Sequence, residues 1–110
     1  YPAGTFDIVI GNGVLHHLPE MGRVAREMHR VLKTGGLYVG REPNFGNPIA
    51  KRRVLDELRT ENEHEITRGE IMQAFGGADF DLEVRYFWRR LPWLNHPLLG
   101  FGMRVQATAR

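Results

Sequence analysis

The sequence predicts an α/β fold in which a parallel β-α-β unit is followed by further helices and a terminal antiparallel strand pair. Three patterns support this prediction: a continuous apolar run at residues 6–10, an amphipathic helical stripe after it, and two alternating segments near the end. Strands buried in a parallel sheet are continuous apolar runs, whereas antiparallel strands with one wet face alternate. The 110 residues are sufficient for one domain.

The β-α-β unit is predicted for residues 6–42. The run FDIVI at residues 6–10 predicts a strand buried on both faces, and Gly-Asn-Gly at 11–13 predicts a sharp exit from the sheet. Residues 19–34 predict a helix with Pro19 in its first turn and Gly35-Gly36 as its stop. Residues 37–42 predict a second strand that ends at Pro43. The apolar residues of the helix share one stripe: Val24, Ala25, Met28, Val31 and Leu32.

Two further helices are expected. Asn47 and Pro48 open the first, whose predicted apolar side is Ile49, Val54, Leu55 and Leu58. Thr67 and Glu70 form a capping box that begins the second, which ends at Gly76-Gly77. Its predicted buried side is Ile71, Met72 and Phe75.

Residues 80–88 and 101–110 both alternate between apolar and polar side chains, which predicts two antiparallel strands. The segment between them, residues 91–99, is apolar, aromatic and broken by Pro92 and Pro97. It predicts a long loop, and long loops are usually functional or mobile.

Composition excludes several function classes. Lys and Arg number 15 against 13 Asp and Glu, and the acids are scattered among the bases except around Arg85, Arg89 and Arg90. No one-sided basic stripe is therefore apparent, and no nucleic-acid partner is expected. The apolar runs are too short for a transmembrane segment. The absence of cysteine excludes disulfides, thiol nucleophiles and thiolate zinc sites, and it fits a cytoplasmic location.

At this point the residues indicate a family. Residues 6–10 followed by LHHLP at 15–19 resemble the fourth strand and following loop of class I S-adenosylmethionine-dependent methyltransferases. RVLKTGG at 30–36 resembles the helix end and turn before that family's fifth strand, and EPN at 42–44 a frequent exit from it. YPAGTFD at 1–7 is similar to the loop that enters strand four. The resemblance covers nearly the whole chain and is strongest over residues 1–44.

The resemblance implies the carboxy-terminal half of a Rossmann-like methyltransferase fold, with strand seven inserted antiparallel between strands five and six. The family binds S-adenosylmethionine mainly through a glycine-rich loop after strand one and an acidic residue ending strand two, and both would precede this chain. Gly-Asn-Gly at 11–13 lacks the third glycine of a Gly-x-Gly-x-x-Gly loop. We therefore expect residues 1–110 to be a single partial domain, a fragment that is inactive alone.

The resemblance places Gly11, Asn12, Gly13 and Leu15 at the end of strand four, facing the cofactor. Small residues allow a ligand to approach the main chain closely, although a tight turn chosen only for geometry would contain the same residues. Ligands of open α/β sheets bind beyond the carboxyl ends of the strands, which agrees with this placement.

His17 and His16 are the candidate catalytic residues, because imidazole titrates near neutrality and can act as a general base. Adjacent side chains point differently, so at most one reaches the reacting centre; the alternative is that one packs and the other is solvated. The pair lacks the spacing of a helical metal site, and no metal is expected. A sulfonium leaving group is already activated, so the reaction needs alignment more than acid–base help.

Four residues are candidates for binding the methyl acceptor: Glu42, Asn44, His64 and Trp93. Glu42 and Asn44 end strand five, but Glu42 alternatively pairs with Arg41 or caps the turn. His64 lies among acids in a loop that would overhang the site, where a plain surface histidine is the commoner case. The aromatic and apolar loop that includes Trp93 suggests a small, lipophilic acceptor, an interfacial contact, or simply a cover for the sheet edge.

The leading hypothesis is methyl transfer from S-adenosylmethionine to a small molecule. The alternative is a non-catalytic half-domain that self-associates as a homodimer or docks on a separate amino-terminal half. In that case the strand at residues 6–10 would lack its neighbour and expose an apolar edge, which favours pairing with another chain.

Overall fold

The computed structural model describes residues 1–57, 65–88, 90–91, 93–100 and 102–110, with the backbone alone at residues 53–57. Its four strands are β1 (Phe6–Asn12), β2 (Leu32–Pro43), β3 (Phe80–Phe87) and β4 (Gly102–Ala109). Its helices are α1 (Met21–Val31), α2 (Pro48–Glu57) and α3 (Arg68–Gly76), and a short 3₁₀ turn spans Leu15–His17. These elements confirm the α/β prediction.

The strands form one sheet in the order β1-β2-β4-β3. β1 and β2 are parallel, and β4 runs antiparallel to both β2 and β3. The last strand is therefore inserted between the second and third, which confirms the strand order that the family resemblance implies.

Helices α1 and α3 cover one face of the sheet, which we call the covered face. Tyr38 of β2 stacks on Phe75 of α3 with ring centroids 5.2 Å apart, and Phe75 lies 5.2 Å from Phe80 of β3. Ala25 of α1 and Val105 of β4 are fully buried in the same cluster. This single layer of contacts is the hydrophobic core.

The opposite face, which we call the open face, lies away from α1 and α3. Side chains alternate along a strand, so Ile8 and Ile10 of β1 point away from the covered face. They are 55% and 78% exposed. The prediction that residues 6–10 are buried on both faces is therefore wrong for this chain, because nothing described here covers the second face.

The ends of α1 differ from the prediction. The helix begins at Met21 after Glu20, so Pro19 precedes it, and it ends at Val31 rather than Thr34. The early carboxyl end is explained by the start of the chain, where the amides of Gly4 and Thr5 donate to the last helical carbonyls at 2.9 and 2.8 Å. Gly35, with φ +79°, lies inside β2 where the pairing with β1 shifts register, so it permits a local irregularity and does not stop the helix.

The predicted Asn47 cap of α2 and the Thr67 half of the predicted capping box of α3 are confirmed, but two apolar predictions are wrong. The Asn47 side chain accepts from the amides of Ile49 and Ala50, and Thr67 accepts from Glu70 at 3.2 Å. Ala50 is buried, whereas Ile49, predicted to be on the apolar side of α2, is 64% exposed. Met72 is 40% exposed as well. The side chains of Val54 and Leu55, and all of Leu58, lie outside the described residues.

Within the described part of the chain, no helix has the length and apolarity needed to cross a membrane.

Candidate active-site rim

The carboxyl ends of β1 and β2 meet at one edge of the sheet, which we call the rim (residues 11–17 with Glu42 and Asn44). The parallel pairing continues to Asn12 opposite Arg41, and the amide of Gly13 then donates to the Arg41 carbonyl at 2.7 Å. Gly13 has φ +65°, a conformation that turns the chain out of the sheet and that favours glycine. Asn12 is left exposed and Gly13 half-buried at this edge.

Gly11 is a glycine for a reason that the sequence did not reveal. A Cβ on Gly11 would lie 2.6 Å from the Tyr38 hydroxyl oxygen, and one on its pairing partner Gly40 would lie 2.5 Å from the same atom. Both glycines make room for the Tyr38 side chain on the covered face. The space beside Gly11 is therefore occupied by the Tyr38 side chain of the same protein.

Tyr38 and Gly40 were missed as site residues. The available signal was the pair of glycines at the ends of two strands predicted to be parallel, one of them two residues after a tyrosine. The Tyr38 hydroxyl is buried and has no hydrogen-bond partner among the described residues. Burial, with the nearby negative charge of Glu42, raises the pKa of Tyr38 well above its usual range.

Glu42 holds the 3₁₀ turn. Its carboxylate accepts from the backbone amides of Val14 at 3.1 Å and Leu15 at 2.7 Å, and a third amide, that of His16, lies at 3.4 Å. The same carboxylate lies 2.8 Å from Nδ1 of His16. Of the roles that the sequence left open for Glu42, the geometry therefore shows the turn cap.

The two adjacent histidines have different environments. His16 is 2% exposed, and because a carboxylate only accepts, its Nδ1–H donates to Glu42. In the neutral ring this leaves the lone pair on Nε2, which is buried and without a partner among the described residues. His17 is half-buried and its ring lies 4.1 Å from that of His16. Of the two histidines, only His17 is partly accessible to solvent at the rim.

Leu15 is fully buried in the core, so its side chain does not face the rim. Its contribution to the site is the amide that donates to Glu42 at 2.7 Å. The family resemblance placed Leu15 beside the cofactor, and the 3₁₀ turn directs its side chain inward.

Asn44 anchors a loop. Its Nδ2 donates to the carbonyls of Pro97 and Gly100 at 2.8 and 2.7 Å, and its Oδ1 accepts from Gly46 at 3.1 Å. Asn47 adds a contact to the Leu99 carbonyl at 3.3 Å. The end of β2 is therefore tied to the loop before β4, a role for Asn47 beyond the predicted helix cap.

The anchored loop presents apolar side chains to solvent. Trp93 is 74% exposed, and Leu98 and Leu99 are 60% and 57% exposed. His64 lies outside the described residues. No cluster of three or more His, Cys, Asp or Glu that could hold a metal ion occurs in the described ranges.

The rim belongs to a segment that is similar to known methyltransferases in sequence. A family model described as a methyltransferase domain matches residues 1–40. An arsenite methyltransferase from Aquipseudomonas alcaligenes is 36% identical over 87 residues, which are 79% of this chain and 22% of that relative. The chain thus spans less than a quarter of the length of this curated relative.

Solved structures show the same fold. A SAM-dependent methyltransferase from Archaeoglobus fulgidus has a TM-score of 0.80 at 13% identity, over 97% of this chain and 61% of that one. A SAM-dependent methyltransferase from Thermotoga maritima, described as a possible histamine N-methyltransferase, has a TM-score of 0.75 at 15% identity, over 99% of this chain and 58% of that one. At these identities the likeness concerns the fold alone.

Proposed function

We propose that this chain, which belongs to the class I S-adenosylmethionine-dependent methyltransferases, is the carboxy-terminal half of a domain that methylates a small molecule. The observation that supports this most directly is the rim. Two parallel strands end together there, a left-handed glycine opens the main chain, and Glu42 fixes the turn that follows. Such an edge is where open α/β sheets bind ligands.

In this proposal Asn12 and Gly13 make the cofactor contacts, since they lie at and just after the end of β1 and are at least partly exposed. Gly11 and Leu15 position this segment without contacting the cofactor. Gly11 leaves room for Tyr38, and the amide of Leu15 donates a hydrogen bond to Glu42. S-adenosylmethionine, when bound, supplies a methyl group that its positive sulfur has already activated. The task left to these residues is to align the donor and exclude water.

His17 is the proposed general base, used where the acceptor is a hydroxyl whose proton must be removed. His16 is a positioning residue: its Nδ1–H is held by Glu42, and its ring contacts that of His17. Glu42 therefore acts on the site through the turn and through His16, because its contacts are with the chain itself.

The proposed acceptor is small and lipophilic. Trp93, Leu98 and Leu99 expose apolar surface on a loop that Asn44 fastens to the end of β2. Asn44 shapes the acceptor side through this loop, and His64 stays a candidate from sequence alone. A cytoplasmic location also stays a prediction.

The cofactor site is tested with two glycines of positive φ, in a protein that joins this chain to the amino-terminal half that the proposal implies. Gly13 and Gly4 have φ of +65° and +62°, so alanine meets the same backbone strain at both positions. We expect Gly13→Ala to weaken S-adenosylmethionine binding about tenfold or more in calorimetric titration, whereas Gly4→Ala leaves it unchanged. Equal affinities for the two variants would contradict a cofactor contact at Gly13.

The isolated 110 residues are expected to show no transfer of radiolabelled methyl groups and very weak cofactor affinity. The physical reason is that the main cofactor-binding loop implied by the resemblance is not among them. Micromolar affinity of the isolated chain would refute this part of the proposal.

A self-associating or docking half-domain is the second candidate function. β1 is an edge strand of the sheet, and its Ile8 and Ile10 are exposed. Exposed apolar edges pair readily with other chains. Light scattering tests this: Ile10→Asp should reduce any association, while Met72→Asp on α3, also partly exposed, should not. A monomer at high concentration would count against it.

A further inference from the structure

The sheet register brings four side chains, far apart in sequence, into one row on the open face. The row is Asn12, Arg41, Arg104 and Arg85, one from each strand in spatial order. Directly paired residues point to the same face, and neighbouring strands are about 4.8 Å apart. Three guanidinium groups from distant parts of the sequence therefore share a small area.

One arginine of the row is held by an aromatic platform. The Arg41 guanidinium carbon lies 5.0 Å from the ring centroid of Phe87, within the range of a cation–π contact. The ring reaches this position because it lies across Gly102, where an added Cβ would be 2.7 Å from a ring carbon. Gly102, Phe87 and Arg41 thus form a stack that presents the guanidinium at a defined place.

The positive charge of the row is largely uncompensated. Arg85 has one loose contact with Glu83 at 3.5 Å, with both side chains more than half exposed. Arg41 and Arg104 have no carboxylate partner among the described residues. Arg41, Arg85 and Arg104 line a pocket of about 390 Å³ together with Tyr86 and Phe87. That volume is in the range of small-molecule sites.

We propose that this arginine pocket binds the phosphate or carboxylate group of a small molecule. The planar guanidinium donates pairs of hydrogen bonds that match both anions. Along β3 the positive charge is confined to one position, because the next residue on this face is Glu83 and the one after it is Asp81. A bounded pocket of this kind fits a single anionic group better than a nucleic-acid backbone, which needs an extended basic stripe.

The proposal does not rest on methyl transfer. It concerns the open face of the sheet, whereas the proposed cofactor contacts lie at the rim. Asn12 belongs to both, since it ends β1 and begins the row, so a molecule held by Arg41 lies next to the rim. The two proposals can fail separately.

The test is a titration of the 110-residue chain with inorganic phosphate and with citrate, followed by the NMR signals of the arginine Nε–H groups. We compare Arg41→Gln/Arg104→Gln with Arg23→Gln/Arg26→Gln on α1, which removes the same charge from exposed positions elsewhere. Each charge-assisted contact is worth roughly tenfold in affinity, so the pocket variant should bind about a hundredfold more weakly. The α1 variant should bind within about twofold of the unmodified chain, since it keeps every proposed contact.

Three results would overturn the proposal. The first is no saturable binding of either anion, and the second is equal weakening by both double variants, which would indicate a net-charge effect. The third is binding of a polyglutamate peptide without binding of phosphate or citrate, which would make the surface an interface for an acidic protein segment. Because the arginines are exposed, we expect all variants to unfold at the temperature of the unmodified chain.

Discussion

The two faces of the sheet differ in what their side chains contact. On the covered face, Tyr38, Phe75 and Val105 are fully buried among helices and strands of the same chain. On the open face, Ile8 and Ile10 remain exposed at one edge, and three arginines line up near the rim. The side chains of the covered face are thus packed in a hydrophobic core. The open face presents apolar and cationic groups that the described residues neither bury nor neutralise.

This difference separates residues that stabilise the chain from residues available for binding. Substitutions on the covered face should change the free energy of unfolding, whereas those on the open face should change binding and leave unfolding nearly unaffected. Four comparisons test this division, two of them against open-face residues and two against residues exposed elsewhere.

The largest effect is expected at the centre of the covered face. Phe75→Ala removes a ring that contacts both Tyr38 and Phe80. Phe-to-Ala changes in cores cost about 3–5 kcal/mol, a large part of the stability of a chain this size. Ile10→Ala on the open face should cost less than about 0.5 kcal/mol, because the side chain is mostly exposed already. Denaturant unfolding measures both, and similar losses would show that the open face is covered in solution.

The second comparison uses two glutamates. Glu42→Gln replaces one acceptor oxygen by an NH₂ group that opposes the buried amides of the 3₁₀ turn or Nδ1 of His16. We expect a loss of about 1–3 kcal/mol for these unsatisfied donors. Glu83→Gln on the open face breaks only a loose surface ion pair and should cost less than about 1 kcal/mol. Thermal unfolding distinguishes them, and an unchanged midpoint for Glu42→Gln would mean that the carboxylate does not hold the turn.

The covered face was largely predictable because its periodicities are local. The strand at residues 6–10, four of the five stripe residues of α1 and the Thr67 cap follow from spacing along the chain and are confirmed, whereas Leu32 lies in β2. The errors at Ile8 and Ile10 have one origin. An apolar pattern reports which side chains avoid water in the complete folded state, but not whether the covering element belongs to this chain.

The rim and the arginine row were less predictable because they depend on contacts between distant residues. Glu42 was ambiguous until the fold placed it 2.8 Å from His16, which is 26 positions away. Arg41, Arg85 and Arg104 become neighbours only through the sheet register. Asn44 was a candidate acceptor-binding residue, and its polar atoms turn out to hold the chain's own loop.

The third comparison concerns two glycines. Gly40→Ala would place a Cβ 2.5 Å from the Tyr38 hydroxyl and 2.9 Å from two ring carbons. Overpacking of this kind costs about 1–3 kcal/mol. Gly76→Ala, at the end of α3 with nothing within 4 Å of the added atom, should be neutral within about 0.5 kcal/mol. Adding Tyr38→Phe to Gly40→Ala should restore part of the loss, and full tolerance of Gly40→Ala alone would show that the ring is free to move.

The smallest effect is the pH dependence that Tyr38 contributes. Burial and the negative charge of Glu42 oppose the tyrosinate and raise its pKa in the folded protein, while an unfolded tyrosine titrates near pH 10. Below about pH 10 the tyrosine is protonated in both the folded and the unfolded state, so its contribution to the free energy of unfolding is fully present. As the pH rises further, the unfolded chain loses this proton first, and the free energy of unfolding falls.

Chemical denaturation at pH 8 to 11 tests this contribution directly. Tyr38→Phe should flatten the alkaline fall in the free energy of unfolding, whereas Tyr1→Phe, at a residue that is 86% exposed, should leave it unchanged. At neutral pH, Tyr38→Phe should be neutral or slightly stabilising, since it removes a buried hydroxyl with no partner in the described chain. A clear loss of stability would reveal a hydrogen bond to that hydroxyl, and the covered face would then contain a polar contact as well as its hydrophobic core.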